Sequence, residues 1–374
     1  MHIQADAIGQ IIHAQWSHIV DNYNSYHIRT LDAIRRCRTS SLGGHAYRCG
    51  QCAKIHVRYN SCRNRHCSQC QNTQREEWIM AQENKVIDTD YYHVVFTLPS
   101  CLHDICRTYP RQMYAMLMRT AWNTIDAFGW NHKYLGAQTG ASIVLHTWGS
   151  TMTYHPHVHC IVPGGGVRYN GKWKKARGKG KYLFPVKAMS KVFRGKMVAQ
   201  IKELLNTKDL EYSEQLRQQI YKKDWVVYAK PPFGGTSTVI RYLSRYTHKI
   251  AITHHRVQYY DELKVTFTYK DYRHGNTQKV TTLTTREFVR RFTQHILPKG
   301  LCRIRHYGIL SGRWKSRLFN IKTTESKKTW EQIWKEKGLD VTLCPYCKTG
   351  KLEYFEKINP VRGPPYTSHA HSKI

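Results

Sequence analysis

Residues 153–160 read TYHPHVHC, with histidine at every second position from 155 to 159. Side chains two apart on a β-strand point to one face. The wider stretch IVLHTWGSTMTYHPHVHCIVPGGG reads as strand, loop, strand and glycine turn. With a strand at 157–162, His157 and His159 share a face and Val158 and Cys160 take the other. His155 precedes Pro156, whose ring favours an extended conformation at position 155. Two or three imidazoles on one sheet face make a candidate metal site. The competing reading is of histidines without a ligand, since the chain holds 22 of them.

The chain has 374 residues, enough for two to four compact units. Lysine and arginine number 59 against 25 acidic residues, a net charge of +34. So large an excess argues for a polyanionic partner, nucleic acid first and an anionic membrane surface second. No apolar run is long enough to span a bilayer. The start, MHIQADAIGQIIHAQW, lacks the basic, apolar and small-residue succession of a secretory signal. A cytoplasmic protein is expected, with its 12 cysteines reduced and paired cysteines pointing to metal.

Residues 3–36 carry a helical stripe of Ile8, Ile11, Ile12, Trp16 and Ile19, a packing face. Strands are expected at YYHVVFTLP (91–99), ASIVLHTWG and DWVVYAK, and helices at about 104–128 and within 186–222. VRYNGKWKKARGKGKYLFPV reads as a hairpin turning at Asn170-Gly171. TSTVIRYLSRYTHKIA and TREFVRRFTQHIL read as helices around a second hairpin, KVTFTYKDYR with QKVTTLTT.

Cys49-x2-Cys52 and Cys67-x2-Cys70 stand fourteen residues apart. Two such knuckles can place four thiolates around one Zn²⁺. Cys37, His45, Cys62 and His66 supply a second, mixed set, so one or two structural zinc ions are expected in interleaved sites. Arg58, Arg63, Arg65 and Arg75 around them suggest a DNA-binding face. Cys344 and Cys347 form a lone pair of the same kind, a minor knuckle without an evident second pair.

In RYLSRYTHK, Tyr242 and Tyr246 are four apart and lie on one helix face, with Lys249 placed to neutralise a phosphate. Tyrosine attacks phosphorus when a metal or base assists it, and two tyrosines beside a histidine metal site can make two successive phosphotyrosine bonds. The bland alternative is a pair of core tyrosines. GKWKKARGKGK holds six basic residues in eleven. Its Lys172, Lys174, Lys175, Arg177 and Lys179, interleaved with Trp173, suit single-stranded nucleic acid.

The ordered set CRNRHCSQCQ, HVVFTLP, HPHVHCIVPGGG, YLSRYTHKIAI, FVRRFTQHILPKGLCRIRHYGIL and CPYC, from residue 62 to 347, resembles the HUH two-tyrosine transposases of rolling-circle insertion sequences, the insertion-sequence-ninety-one type. Ser68 replaces a usual proline and Lys348 a usual glycine. The resemblance implies an α+β fold: an N-terminal zinc-binding module, an HUH domain with a central antiparallel, RRM-like sheet and packed helices, and a small C-terminal region. The boundaries expected are 1–90, 91–256, 257–340 and 341–374. It also implies a divalent ion, Mg²⁺ or Mn²⁺, on His157 and His159, and nicking and joining of single-stranded DNA through 5′-phosphotyrosine links at Tyr242 and Tyr246. His155 is the first choice for a third ligand, because the tyrosine helix face offers no His, Asp or Glu.

Two rival readings remain at this level. His155-Pro-His157-Val-His159 also fits the histidine triad of metal-free nucleotide hydrolases, which leaves the charge unexplained. A zinc-bearing DNA-binding regulator without catalysis leaves the histidines and tyrosines unexplained.

Overall fold

The computed structural model describes residues 6–83, 87, 89–176, 183–233, 249–272, 274–314 and 340–361, with a few isolated positions besides. In chain order it begins with α1 (Ala7–Ala14), α2 (Trp16–Asn22) and α3 (Ser25–Arg35), then β1 (Gly44–Cys49), β2 (Ile55–Tyr59) and α4 (Ser68–Glu83). There follow β3 (Tyr91–Thr97), α5 (His103–Thr108), α6 (Pro110–Trp130), β4 (Gly140–Trp148) and β5 (Tyr154–Pro163). Next come β6 (Gly165–Val167), β7 (Trp173–Lys175), α7 (Val186–Asn206), α8 (Glu214–Tyr221) and β8 (Val227–Phe233). The remainder is β9 (Val257–Tyr260), β10 (Lys264–Asp271), β11 (Thr277–Thr284), α9 (Thr285–Thr293), β12 (Ile304–Gly308) and β13 (Leu352–Ile358).

The histidine stretch is the middle strand of a five-stranded antiparallel sheet, ordered β12-β4-β5-β3-β8. Its two faces serve different ends. Val94 and Phe96 of β3, Ala141, Ile143 and Leu145 of β4, and Val158, Cys160 and Val162 of β5 point into one apolar core. There they meet α6 through Met113, Leu117, Ala121 and Ile125, and α7 through Phe193, Met197 and Ile201. Both helix sets recur at four-residue intervals, the spacing that keeps side chains on one face. Pro110 opens α6 at its first turn, where a missing N–H costs nothing.

The opposite face carries His93, His146, His157 and His159, and β4 is buried along its whole length because both faces are covered. A second apolar core lies on this side. Ile8, Ile11 and Ile12 of α1 and Leu31 and Ile34 of α3 join Val265 and Phe267 of β10, Phe288, Val289 and Phe292 of α9, and Trp148. The stripe expected over 3–36 is thus a packing surface, but broken into three helices. Asn24 sets the last break, its side chain accepting from the N–H groups of Tyr26 and His27 at 3.1 and 3.0 Å.

Pro156 is tolerated in a central strand because of a bulge. His146 pairs with His157 and Trp148 with Tyr154, so two β5 residues, His155 and Pro156, face the single β4 residue Thr147. The polar hairpin expected at 170–171 forms, with β6 and β7 paired and Gly171 at φ 76°. Of two three-stranded sheets, one is β11-β10-β9 and the other β13-β1-β2, in which residues from the two ends of the chain pair side by side. Among the described residues no helix is long and apolar enough to cross a membrane.

Candidate active site

Three imidazoles converge on the sheet face away from α6 and α7. His157 and His159 come from β5, and His146 stands directly opposite His157 on β4. One nitrogen from each lies within 4.8 Å of the others. His157 Nδ1 donates to the carbonyl oxygen of His155 at 2.7 Å, which leaves the lone pair of that ring on Nε2. That Nε2 faces His159 Nε2 at 3.1 Å. On its far side, His159 Nδ1 lies 2.8 Å from His93 Nε2. The His93 and His159 rings are tilted by only 16° with centroids 5.0 Å apart, the geometry of two coplanar rings joined nitrogen to nitrogen.

Burial makes these imidazoles poor bases. His157 and His159 are each 9% exposed. Desolvation brings His157 down to about 3, opposed by its hydrogen bond to the His155 carbonyl and helped slightly by the His155 and Lys249 charges. Desolvation, then His146, His157, His93 and Lys249, holds His159 well below the ordinary value. The rings are therefore neutral near pH 7, the state in which imidazole binds a cation. With both Nε2 atoms turned toward each other, a proton or a cation must lie between them. Three imidazole nitrogens from adjacent strands, one of them fixed in tautomer by a backbone carbonyl, fit a divalent metal ion. Trp148 stacks on His146 at 4.6 Å, and the Arg303 guanidinium lies 5.2 Å over the Trp148 ring.

The expected third ligand is corrected here. His155 sits in the bulge and contributes its carbonyl, while its ring stays outside the cluster that His146 completes. His146 was in plain view in IVLHTWG, but a lone histidine signals nothing until the β4–β5 register places it opposite His157. Lys249 lies close enough for its charge to disfavour protonation of both β5 histidines. Tyr242 and Tyr246 lie outside the described residues, as do Arg177 and Lys179.

The cysteines regroup. Cys37, Cys62, Cys67 and Cys70 form one quartet, with Cys37 Sγ and Cys62 Sγ each 3.6 Å from Cys70 Sγ. Cys49 and Cys52 gather instead with Cys344 and Cys347. The cause is the β1–β2 hairpin. Cys37 and Cys62 flank its base, beside the start of α4, whereas Cys49 and Cys52 sit at its tip, a strand length of roughly 17–20 Å away. His45 and His66 belong to neither quartet. His45 packs on β1 against the Tyr354 ring at 6.1 Å, and His66 Nε2 accepts from the Leu297 N–H at 3.4 Å.

The expected basic face is partly spent on structure. Arg65 donates to the carbonyls of Leu301, Leu297 and Pro298 at 2.6, 3.2 and 3.0 Å, and Arg58 to that of Val341 at 2.9 Å. In the β6–β7 hairpin Lys172 and Lys175 are exposed and Lys174 is half-buried. Trp173 is not a free stacking surface, because it packs against the cluster of Ile87, Val167 and Ile309. The exposed aromatic there is Tyr169, 88% exposed and stacked on Trp130 at 4.5 Å.

Residues 9–98 match the family described as "Transposase zinc-binding domain", and residues 140–317 the family described as "Putative transposase". A Sinorhizobium fredii protein named "Putative transposase y4qJ" is 36% identical over 363 residues, covering 90% of this chain and 91% of that protein. The chain belongs to the IS91-type transposase family. The transposase for insertion sequence element IS801 of Pseudomonas savastanoi pv. phaseolicola is 28% identical, over 80% of this transposase and 74% of its relative. Among solved structures, the conjugative relaxase TrwC in complex with oriT DNA aligns with a TM-score of 0.26 and 9% identity, over 42% of this chain and 71% of that one. The zinc expected from the cysteine spacing accords with a zinc-binding domain over 9–98.

Proposed function

We propose that this transposase nicks and rejoins single-stranded DNA at insertion-sequence ends, in rolling-circle fashion, through 5′-phosphotyrosine links. The observation that carries this reading is the convergence of His146, His157 and His159 on one sheet face, two of them with Nε2 atoms 3.1 Å apart. His146, His157 and His159 would hold a divalent ion, which would supply Lewis-acid polarisation of the scissile phosphate. Three nitrogen donors favour Mn²⁺ over the harder, oxygen-seeking Mg²⁺. The nucleophile comes from the Tyr242 and Tyr246 pair. A phenolic oxygen bonds to phosphorus, the bond to the 3′ oxygen breaks, and a 3′-hydroxyl leaves with a proton. The second tyrosine is then free to open another strand while the first is occupied. Lys249, beside the β5 histidines, adds positive charge where the phosphate sits. The exposed lysines of the β6–β7 hairpin, with Tyr169, offer a track for the flanking strand.

The test is incubation with a single-stranded oligonucleotide bearing the element end and a scissile link whose leaving group cannot religate. A covalent protein–DNA adduct is expected with Mn²⁺ and is lost with EDTA or in His157→Ala. An adduct that survives chelation overturns the metal-assisted reading. Absence of any adduct with the wild-type protein overturns the phosphotyrosine reading.

A further inference from the structure

We infer that Cys49, Cys52, Cys344 and Cys347 bind a second zinc ion, one that clasps the C-terminal segment to the N-terminal module. This site stands independently of the tyrosine chemistry proposed above. The sulfurs of Cys49 and Cys347 are 3.7 Å apart, as are those of Cys52 and Cys344. A tetrahedron of thiolates with Zn–S bonds of about 2.3 Å has edges of about 3.8 Å. A disulfide requires about 2.05 Å, so the spacing is that of ligands around a cation rather than of bonded partners.

The two contributing segments are built alike. Cys49-x2-Cys52 is followed by Ala53 at φ 57°, and Cys344-x2-Cys347 by Lys348 at φ 62°. The Ala53 N–H donates to the Cys49 carbonyl at 3.0 Å, and the Lys348 N–H to the Cys344 carbonyl at 2.9 Å. A left-handed residue without glycine is uncommon, and here it recurs at the same place in both turns. In each, backbone N–H groups point at sulfur. Gln51 and Cys52 donate to Cys49 Sγ at 3.4 Å, and Gly350 to Cys347 Sγ at 3.3 Å. Such donors stabilise thiolate, the form that binds metal. A Cβ on Gly350 would fall 2.4 Å from Cys49 Sγ, so only glycine allows the two turns to close. Two of the ligands are buried, Cys49 and Cys344 at 1% exposed each, and Cys52 and Cys347 are half-buried. Four sulfurs and no open position make a structural site selective for Zn²⁺.

The clasp joins ligands up to 298 residues apart, and the β1–β13 pairing, with Cys49 opposite Leu352, continues directly from it. The experiment is metal analysis of the full chain purified without chelator. About two zinc ions per chain are expected for the wild type, and about one in the C344S/C347S double variant, the remaining ion belonging to the Cys37 quartet. A wild type holding a single zinc that the double variant retains overturns the inference. Timed alkylation of wild-type protein, read residue by residue, keeps the test open should the variant fold poorly. Cys344 and Cys347 are expected to react only after zinc is stripped. Rapid labelling of both before chelation overturns the clasp.

Discussion

His146 and His157 face each other directly across the β4–β5 pair, ring centroids 5.4 Å apart and planes at 87°. The His155 ring also lies beside that of His157, centroids 5.1 Å apart, but the three nitrogens that converge come from His146, His157 and His159, and the His155 carbonyl accepts from His157 Nδ1. His146→Ala is therefore expected to lower Mn²⁺ affinity by about a hundredfold or more and to remove nicking. His155→Ala, which keeps the carbonyl, should bind Mn²⁺ within a few-fold of wild type. Calorimetric titration of the two variants checks the ranking, and the reverse order refutes it.

His93 sits behind His159 and shares its Nδ1. For His159 to offer the Nε2 lone pair to a cation, its proton must sit on Nδ1 and point at His93. His93→Phe removes that acceptor, and a loss of about 10- to 100-fold in Mn²⁺ affinity is expected. His93→Gln, whose side-chain oxygen can accept the same proton, should recover part of it. Equal affinity for both variants would show that His93 fills space and nothing more.

Tyr242 and Tyr246 are expected to share the chemistry. Tyrosine to phenylalanine keeps the ring, so it tests the oxygen alone. Oligonucleotide cleavage should survive one single mutant and fail in the double, whereas full transposition should fail in both singles. An adduct formed by the double mutant sends the search to another of the 25 tyrosines.

Acid should weaken the fold from beneath the sheet. His295 is 3% exposed, lies 3.1 Å from both the Met152 carbonyl and Thr147 Oγ1, and is brought down to about 4, chiefly by burial. The unfolded chain takes up this proton near 6.5 and the folded chain does not, so stability is lost as pH falls below that value toward 4. Between about pH 7.5 and pH 5 the loss from this one group is about 2 kcal/mol. His295→Gln, which can still donate to Met152, should flatten that part of a denaturant-midpoint profile against pH. An unchanged slope would rule the group out.

Binding of single-stranded DNA should weaken steeply with salt, given the charge of +34. If six to ten phosphates are engaged, affinity drops by roughly 10³ to 10⁵ between about 50 and 200 mM salt. A flat profile in fluorescence anisotropy would contradict an electrostatic grip.

Local spacing carried much of this in advance. The period-two histidines marked β5, the Asn170-Gly171 turn marked the β6–β7 hairpin, and cysteine pairs marked zinc. What stayed hidden depends on pairing between distant strands. His146 gains meaning only through the β4–β5 register, and the bulge opposite Thr147 takes the nitrogens of His155 out of the histidine cluster. Reading the four N-terminal cysteines as consecutive knuckles failed because the intervening hairpin carries Cys49 and Cys52 away from Cys67 and Cys70. Trp173 looked like a stacking residue because its partners Val167 and Ile309 are brought to it by the fold.

The placement of β1 between β2 and β13 also bears on how the protein is made. Cys49 leaves the ribosome 298 residues ahead of Cys347, which at ordinary elongation rates is about 15–60 s. Throughout that interval the N-terminal module carries a bare strand edge, open to pairing with any neighbouring nascent chain. Translation that stops before residue 344 leaves that edge permanently exposed, so a premature stop damages the first sixty residues as well as deleting the last thirty.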